Sequence, residues 1–340
     1  MAKNIFINRF YHPDLSATSQ MLTDLTRALD DANAPVYVIC SRSYYNDTKR
    51  TPPARSQHHH VHVIRVFSTR FGRKSKFGRI ADYLSFYLFM LLQVISLTKK
   101  GDTIIAKTDP PLMSIPLAVI AKLKRAHLMN WLQDIFPEVA DAAGVSIRNS
   151  FLQGLLITPV YRMRDWSLKF AKANVVLSPD MLSVFANRRL PTDNFHIIPN
   201  WSDPAHIRPL AHNANPKRLA WGLTDRFVVA YSGNMGVAHD IKTITQAARL
   251  LTDKPHIIFL MIGDGARKQA MLEEIESAGL SRQFMFKPYQ PRAELAESLG
   301  CADLHLVSLN PRMEGLIVPC LLYTSPSPRD QRGSRMPSSA

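Results

Sequence analysis

Cysteine is scarce in this 340-residue sequence. Cys40, Cys301 and Cys320 lie far apart and form no C-x-x-C pair. That argues against a disulfide framework or a thiolate zinc site and favours a reducing compartment. Two phosphate-loop signatures are also missing. Neither G-x-x-x-x-G-K-[ST] nor G-x-G-x-x-G occurs, so ATP hydrolysis and NAD chemistry lose ground. No Ser/His/Asp grouping is recognisable. The opening MAKNIFINRF is a short apolar run and not the h-region of a secretory leader. Acid is in deficit too: 27 Asp and Glu stand against 42 Lys and Arg, a formal charge of +15. Such a balance favours a polyanionic partner, whether nucleic acid, an anionic membrane face or a phosphorylated substrate.

Much of the positive charge lies in RVFSTRFGRKSKFGR, Arg65 to Arg79. A solvated loop is the plain reading of such a run. Directly after it comes IADYLSFYLFMLLQVISL, Ile80 to Leu97, closed by Lys99 and Lys100. The run is slightly short for a bilayer span, which needs about 20 apolar residues, and it carries Asp82 and Gln93. Its composition predicts a buried helix of an α/β domain. It also fits a basic, aromatic-rich helix touching a membrane surface, and one helix can do both with its two faces. The triple His58–His60 sits in a polar stretch without nearby carboxylates and is expected to be an exposed loop.

Apolar strands alternate with helical patterns along the chain. KNIFINR, PVYVIC, HVHVIRVF, DTIIAKT, HLMNWLQDI and NVVLSP read as strands. Met21, Leu22, Leu25, Ala28 and Leu29 are spaced for one face of a first helix. The stretch 149–173 also reads as helical. This repetition implies a parallel sheet covered on both faces. From Ala205 to Leu219 the pattern lapses, with Pro209 and Pro216 and no periodicity, as in a linker. It then restarts with RFVVAYSG, HIIFLMIGDG, FMFKPY and DLHLVSLN as strands separated by helices. The expected fold is α/β, two consecutive Rossmann-like doubly wound domains with a cleft between them. In open parallel sheets ligands sit beyond the carboxyl ends of the strands, so the turns there carry the candidate chemistry.

Two such turns share a design. YSGNMGVAHD brings Gly233, Asn234 and Gly236, and MIGDGARKQA brings Gly263, Asp264 and Gly265, each between a strand and a helix. Glycine lets backbone N–H groups approach a phosphate, and a helix N-terminus adds a positive field. Arg267 and Lys268 follow at once and could clamp a diphosphate. Tight turns with no ligand would use the same glycines. In the first half, RFYHPDLSATSQ puts His12, Asp14, Ser16 and Ala17 after the first strand, where Ser, Thr and Asp are also ordinary helix caps. WLQDIFPE puts Asp134 and Glu138 past another strand, as a carboxylate pair for proton transfer or sugar hydroxyls, or as caps around Pro137.

Taken in order, FYHPDLSATSQMLTDLTRAL, TDPPL, QDIFPE, IPNWSD, YSGNMG, IGDGARK and MEGLIVP resemble a family 4 glycosyltransferase of the GT-B type, over about Lys3 to Pro319. Within it the chain is most similar to fucosamine-type transferases of O-antigen, capsule and colanic-acid assembly. The resemblance implies a nucleotide-sugar donor, a UDP-sugar by family likeness, bound by the C-terminal domain at Gly233, Asn234, Gly236, Gly263, Asp264, Gly265, Arg267 and Lys268. It matches Glu314, Gly315 and Leu316 to the first half of an E-x7-E donor motif and Asp134 to the Asp of a His-Asp pair at the cleft; with Glu138 from the spacing above, these make Asp134, Glu138 and Glu314 the catalytic candidates. It sets Ser16 and Ala17 in the family's Gly-Gly turn, with His12 and Asp14 on the acceptor side. Retention of configuration, no cofactor and no required metal are implied as well. Gln133 departs from the histidine of many members, and Asn234 from a diphosphate-binding arginine.

The resemblance divides the chain into an acceptor-side domain over 1–204, a donor domain over 205–319 and a tail over 320–340. The family's second Glu falls near Leu322, and Cys320, Leu321 and Leu322 replace the expected P-S-K-x-Y-G. LLYTSPSPRDQRGSRMPSSA has a disordered composition and resembles translated sequencing-adapter read-through. The expectation is therefore a truncated, inactive enzyme with an incomplete second domain. The partners implied are a nucleotide-sugar, a lipid-linked or saccharide acceptor and an anionic membrane surface, with no nucleic acid. The implied location is cytoplasmic, peripheral at the inner face of the plasma membrane. A nucleotide-sugar epimerase of the same fold and a basic nucleic-acid-binding α/β protein remain the competing readings.

Overall fold

The computed structural model describes residues 2–318, apart from 15, 33, 45–49, 73–75, 145–154, 156, 202–209 and 241. The tail 320–340, Cys320 included, lies outside the described residues. The rest falls into two compact units, Met1–Pro199 with Glu314–Val318, and Asn200–Met313.

Unit 1 is built on β1 (Asn4–Ile7), β2 (Val36–Ser41), β3 (Arg55–His58), β4 (Val61–Val66), β5 (Thr103–Ala106), β6 (His127–Trp131), β7 (Ala173–Val176) and β8 (Phe195–Ile197). They form one sheet in the order β3-β4-β2-β1-β5-β6-β7-β8, parallel except for the β3–β4 pair. The central strands are apolar on both faces because helices cover both sides. On one side, Ile5, Ile7, Ile39, Ile104 and Leu128 pack against Phe86, Met90 and Val94 of α2 (Lys76–Leu97) and Leu117 and Ala121 of α3 (Ser114–Lys124). Strand order reverses between β1 and β5. The loops leaving those strands meet there, where the Arg9 N–H donates to the Asp109 carbonyl at 2.8 Å.

Unit 2 carries β9 (Phe227–Ser232), β10 (Ile257–Ile262), β11 (Phe284–Lys287) and β12 (Leu304–His305) in the order β11-β10-β9-β12, all parallel. Its strands alternate sides. Val229, Tyr231, Phe259 and Met261 face one core, and Val228, Ala230, Ile258 and Leu260 the other. Here the order reverses between β9 and β12.

Three local readings change. The helix α1 (Ala17–Asp31) buries Ser19, Leu22, Thr23 and Thr26, so of the five apolar residues expected to face the core only Leu22 is buried. Hydroxyls tolerate that face because each finds a partner: Thr26 meets the Tyr11 hydroxyl at 2.7 Å, and Ser19 and Thr23 donate to the carbonyls of Asp14 and Ser19. His58 ends the edge strand β3 instead of lying in a loop, because antiparallel pairing with β4, helped by Arg65 reaching Ser56 Oγ, needs no apolar alternation. The expected linker 205–219 is folded in its second half. Asn215 caps α4 (Pro216–Ala220), and buried Arg218 donates to the Cys301 carbonyl and the Asp303 carboxylate.

At the amino ends of the first sheet, the buried Asp102 carboxylate accepts the N–H groups of Lys3 and Lys99 and pairs with Lys3 Nζ at 3.2 Å. Burial raises its pKa, but the Lys3 and Lys99 hydrogen bonds and the Lys3 charge outweigh it and hold the carboxyl below its ordinary range. A lowered folded-state pKa gives stability that is present above the unfolded pKa and lost as pH falls through the folded one. Asp102→Asn is expected to cost about 1.5–3 kcal/mol at pH 7, and less in acid, in denaturant melts against pH. An equal cost at low pH would rule out the ionic component.

Candidate functional site

The two glycine turns of unit 2 pack backbone against backbone. The Gly233 N–H donates to the Ile262 carbonyl at 2.8 Å, Met235 N–H to the Asp264 carbonyl at 2.9 Å, and Arg267 N–H to the Met235 carbonyl at 3.0 Å. Gly263 has φ +132°, and a Cβ there would stand 2.1 Å from the Gly233 carbonyl oxygen. A Cβ on Gly265 would stand 2.4 Å from the Met235 carbonyl oxygen. Gly236 differs: a Cβ there meets only the Asn234 side chain, so no backbone demand fixes it as glycine. Asn234 is exposed, and its carbonyl accepts the Tyr231 hydroxyl at 2.9 Å.

This packing sets the charged groups. Arg267 is half-buried at the entry to α5 (Lys268–Ser277), whose first turn has no side-chain cap. Lys268 Nζ lies 3.5 Å from the Gly263 carbonyl and 3.9 Å from Asp264. The loops after β9 and β12 are sewn together beside them. His239 Nδ1 meets the Ser308 carbonyl at 2.7 Å, and Asp240 N–H donates to Ser308 Oγ at 2.9 Å. The Asp240 carboxyl is held below its ordinary pKa by the Thr243 hydroxyl first, by backbone N–H groups next, and by Arg267. His239, Asp240 and Ser308 are not among the site residues expected from the sequence, although YSGNMGVAHD contains the first two.

In unit 1 the loop after β1 is organised by Asp14, whose carboxylate accepts the Ser16 N–H at 2.8 Å. Ser16 caps α1 in position only. Among the described residues its buried hydroxyl makes no capping bond and meets no partner, and the same holds for that of Thr108. Ala17 is exposed at the first position of α1, and exposed His12 accepts Arg65 at its carbonyl. Buried Lys107 donates to the Thr18 carbonyl at 3.1 Å, with its ammonium 3.7 Å from the centre of the Trp131 ring. Lys107 and Asp109 follow β5 and are a second pair the sequence did not single out.

Asp134 sits beyond β6 in a small pocket with Lys107, Thr108 and Asn130. Desolvation, then the like charge of Asp109, push its carboxyl up to about 6 against the pull of Lys107. Glu138 is engaged elsewhere. Its two oxygens take a forked contact from Arg164 at 2.8 and 3.1 Å, with Arg188 at 3.6 Å. Arg164 also donates to the Phe136 carbonyl, so this pair fixes the turn that presents Asp134. The segment 314–318 packs on the same unit. Asp134 and Ile317 form an antiparallel bridge, and Ile135 N–H donates to the Leu316 carbonyl at 2.9 Å. Glu314 is exposed, and Gly315, φ +71°, leaves 3.2 Å between a would-be Cβ and the Asp180 carbonyl.

Two outcomes follow. Gly263→Ala is expected to destabilise unit 2 by about 3 kcal/mol or more in thermal melts, whereas Gly236→Ala changes stability by under about 1 kcal/mol. For Asp134, a raised folded-state pKa gives stability that is present below the unfolded pKa and lost as pH rises through about 6. Asp134→Asn is therefore expected to be more stable than the parent at pH 7.5, by at most about 3 kcal/mol, with the gain shrinking toward pH 4. A variant less stable than the parent at both pH values would disprove the strained carboxylate.

Residues 215–318 match the family profile described as "Glycosyl transferases group 1". The chain is 27% identical over 254 residues to "Probable glycosyltransferase WbjE" of Pseudomonas aeruginosa, covering 72% of this chain and 60% of that protein. It is 27% identical over 211 residues to "Putative colanic acid biosynthesis glycosyl transferase WcaI" of Escherichia coli K12, covering 61% of this chain and 51% of that one. The matched regions thus span roughly half to three-fifths of those relatives. Among solved structures, Anabaena HepE in complex with UDP superposes with a TM-score of 0.62 at 15% identity, over 90% of this chain and 73% of that one. The fold is that of the GT-B enzymes, and residues 215–318 are a glycosyltransferase group 1 domain.

Proposed function

We propose that this protein is a retaining glycosyltransferase that moves a sugar from a UDP-sugar to a lipid-linked or saccharide acceptor in cell-surface polysaccharide synthesis, at the cytoplasmic face of the plasma membrane. One observation carries the donor assignment. The interlocked turns leave Arg267, Lys268 and an uncapped helix start together at the carboxyl end of the unit 2 sheet. A diphosphate needs such a cluster of cations and N–H groups, and a departing diphosphate needs it more, because charge grows on it as the glycosidic bond breaks. The UDP in the HepE complex and the colanic-acid name of WcaI support the donor and the pathway class.

In this reading the leaving diphosphate helps take the proton of the acceptor hydroxyl. Asp134 supplies a carboxylate whose pKa is raised to about 6, ionised at neutral pH and suited to accept and return a proton. The unpartnered hydroxyls of Ser16 and Thr108 are free to bond sugar or phosphate oxygens. Glu138, tied to Arg164, holds the turn.

Arg267→Ala is expected to weaken UDP binding about tenfold or more by titration calorimetry, since a charge-assisted contact contributes about 1.5–3 kcal/mol. Unchanged affinity would remove Arg267 from the diphosphate site. Binding of ADP as tight as that of UDP would sink the uridine assignment.

A further inference from the structure

We propose that the outward side of α2, with the loop 67–72 held against it, docks on the anionic headgroup layer of a lipid bilayer, the helix lying flat in the interface. This deepens the membrane-face reading above and does not depend on the transfer reaction. The inner side of α2 is spoken for, because Phe86, Met90 and Val94 are wholly buried in the unit 1 core. The outer side should then be polar, as on an ordinary surface helix. Instead Phe77, Ile80, Leu84, Leu88, Leu92 and Ile95 follow one another at helical spacing, with Phe77 85% and Leu84 64% exposed. The stripe runs about 27 Å at 1.5 Å per residue, longer than the apolar patches ordinary surfaces carry.

A second element extends it. Buried Asp82 points inward from α2 and accepts the N–H groups of Phe71 and Gly72 and the Thr69 hydroxyl. Those bonds pin the loop so that Phe71 stands 66% exposed beside the helix, and Phe67 lies edge-on to Phe89 at 5.3 Å. The phenylalanines of the loop and the stripe of the helix therefore form one apolar surface with a fixed shape.

Charge selects the occupant. From Val66 to Lys100 the sequence carries seven Lys or Arg and one acid, Asp82, whose carboxylate is turned inward. Arg70 stands near the start of the stripe, and exposed Lys99 and Lys100 follow its end. A second copy seated on the same face would bring two basic clusters together. A leaflet of anionic lipid accepts both the apolar side chains and the cations, each basic residue adding to the attraction. Length and composition would let Phe77–Leu97 cross a bilayer. The burial of Phe86, Met90 and Val94 in the sheet core leaves it to lie on the surface.

The test is flotation of the full chain with vesicles of phosphatidylcholine alone or mixed with phosphatidylglycerol. The chain is expected to float with the mixed vesicles only, and less so as salt rises. Leu84→Glu/Leu88→Glu, at two exposed positions, should cut binding about tenfold or more while leaving the melting temperature and UDP affinity unchanged. Lys99→Glu/Lys100→Glu should also weaken it, and supplies the answer if the leucine variant misfolds. Equal flotation with neutral vesicles, or none with either, overturns the proposal. So does a dimer in solution that Leu84→Glu/Leu88→Glu dissolves while the parent ignores lipid. Failure of UDP to bind a chain that still floats would count against the donor reading and leave this one standing.

Discussion

The carbonyl oxygen of Gly233 stands 2.1 Å from where a Cβ of Gly263 would be, and that of Met235 2.4 Å from where a Cβ of Gly265 would be. The loops after β9 and β10 can close on each other only because both positions lack a side chain. Everything at the carboxyl end of the second sheet follows from that closure. Met235 is buried beneath it, Arg267 N–H is tied to the Met235 carbonyl, and α5 starts one residue later. The backbone of Arg267 and Lys268 is thus fixed by the closure, which places both side chains at the same strand ends. Preorganisation of this kind lets a site stabilise developing charge without reorganising at the moment of reaction.

Unit 1 reaches its carboxyl end by a different balance. Lys107, Asp109 and Asp134 leave adjacent strands and face a shared, poorly solvated space. Desolvation and Asp109 make the ionised form of Asp134 costly, and Lys107 offsets only part of that cost. A fold selected for stability alone would replace such a carboxylate by an amide, so its presence at the strand ends is an argument for use. Glu138 shows the contrast within one turn. Its forked contact with Arg164 ties both of its oxygens to one guanidinium, while the same arginine holds the Phe136 carbonyl and so aims the turn.

The central strands were legible because they are short apolar runs between turn residues, and both the glycine turns and the Arg267–Lys268 pair were visible at their ends. What escaped has physical reasons. The edge strand Arg55–His58 pairs through its backbone and one Arg65–Ser56 bond and leaves no apolar period. The buried face of α1 is built from Ser19, Thr23 and Thr26, whose hydroxyls are satisfied by local carbonyls and by Tyr11, so a search for apolar spacing finds the wrong side. Asn215 and Arg218 look like linker residues in sequence, yet Asn215 caps α4 locally and both anchor it to carbonyls more than 80 positions away. Lys107 reads as an ordinary polar end to a strand; only the sheet order brings it to Asp134.

Asp134 and the Glu-Gly-Leu segment illustrate how the two kinds of information combine. The resemblance assigns Glu314, Gly315 and Leu316 to a donor motif and Asp134 to a catalytic pair at the strand ends, with no relation between them. The backbone supplies one: Ile135 N–H bonds the Leu316 carbonyl, Ile317 bridges Asp134, and Gly315 needs φ +71° to pass the Asp180 carbonyl. Leu316 and Val318 then pack on Leu132, Ile135 and Met181. Hydrogen bonds and apolar contacts on both flanks fix the register of this segment, and a shift of one residue would turn Leu316 out of its core. Glu314 is exposed three residues before the bridge partner of Asp134. Any ligand that touches Glu314 therefore meets a carboxylate whose distance from Asp134 is set by two strands of backbone.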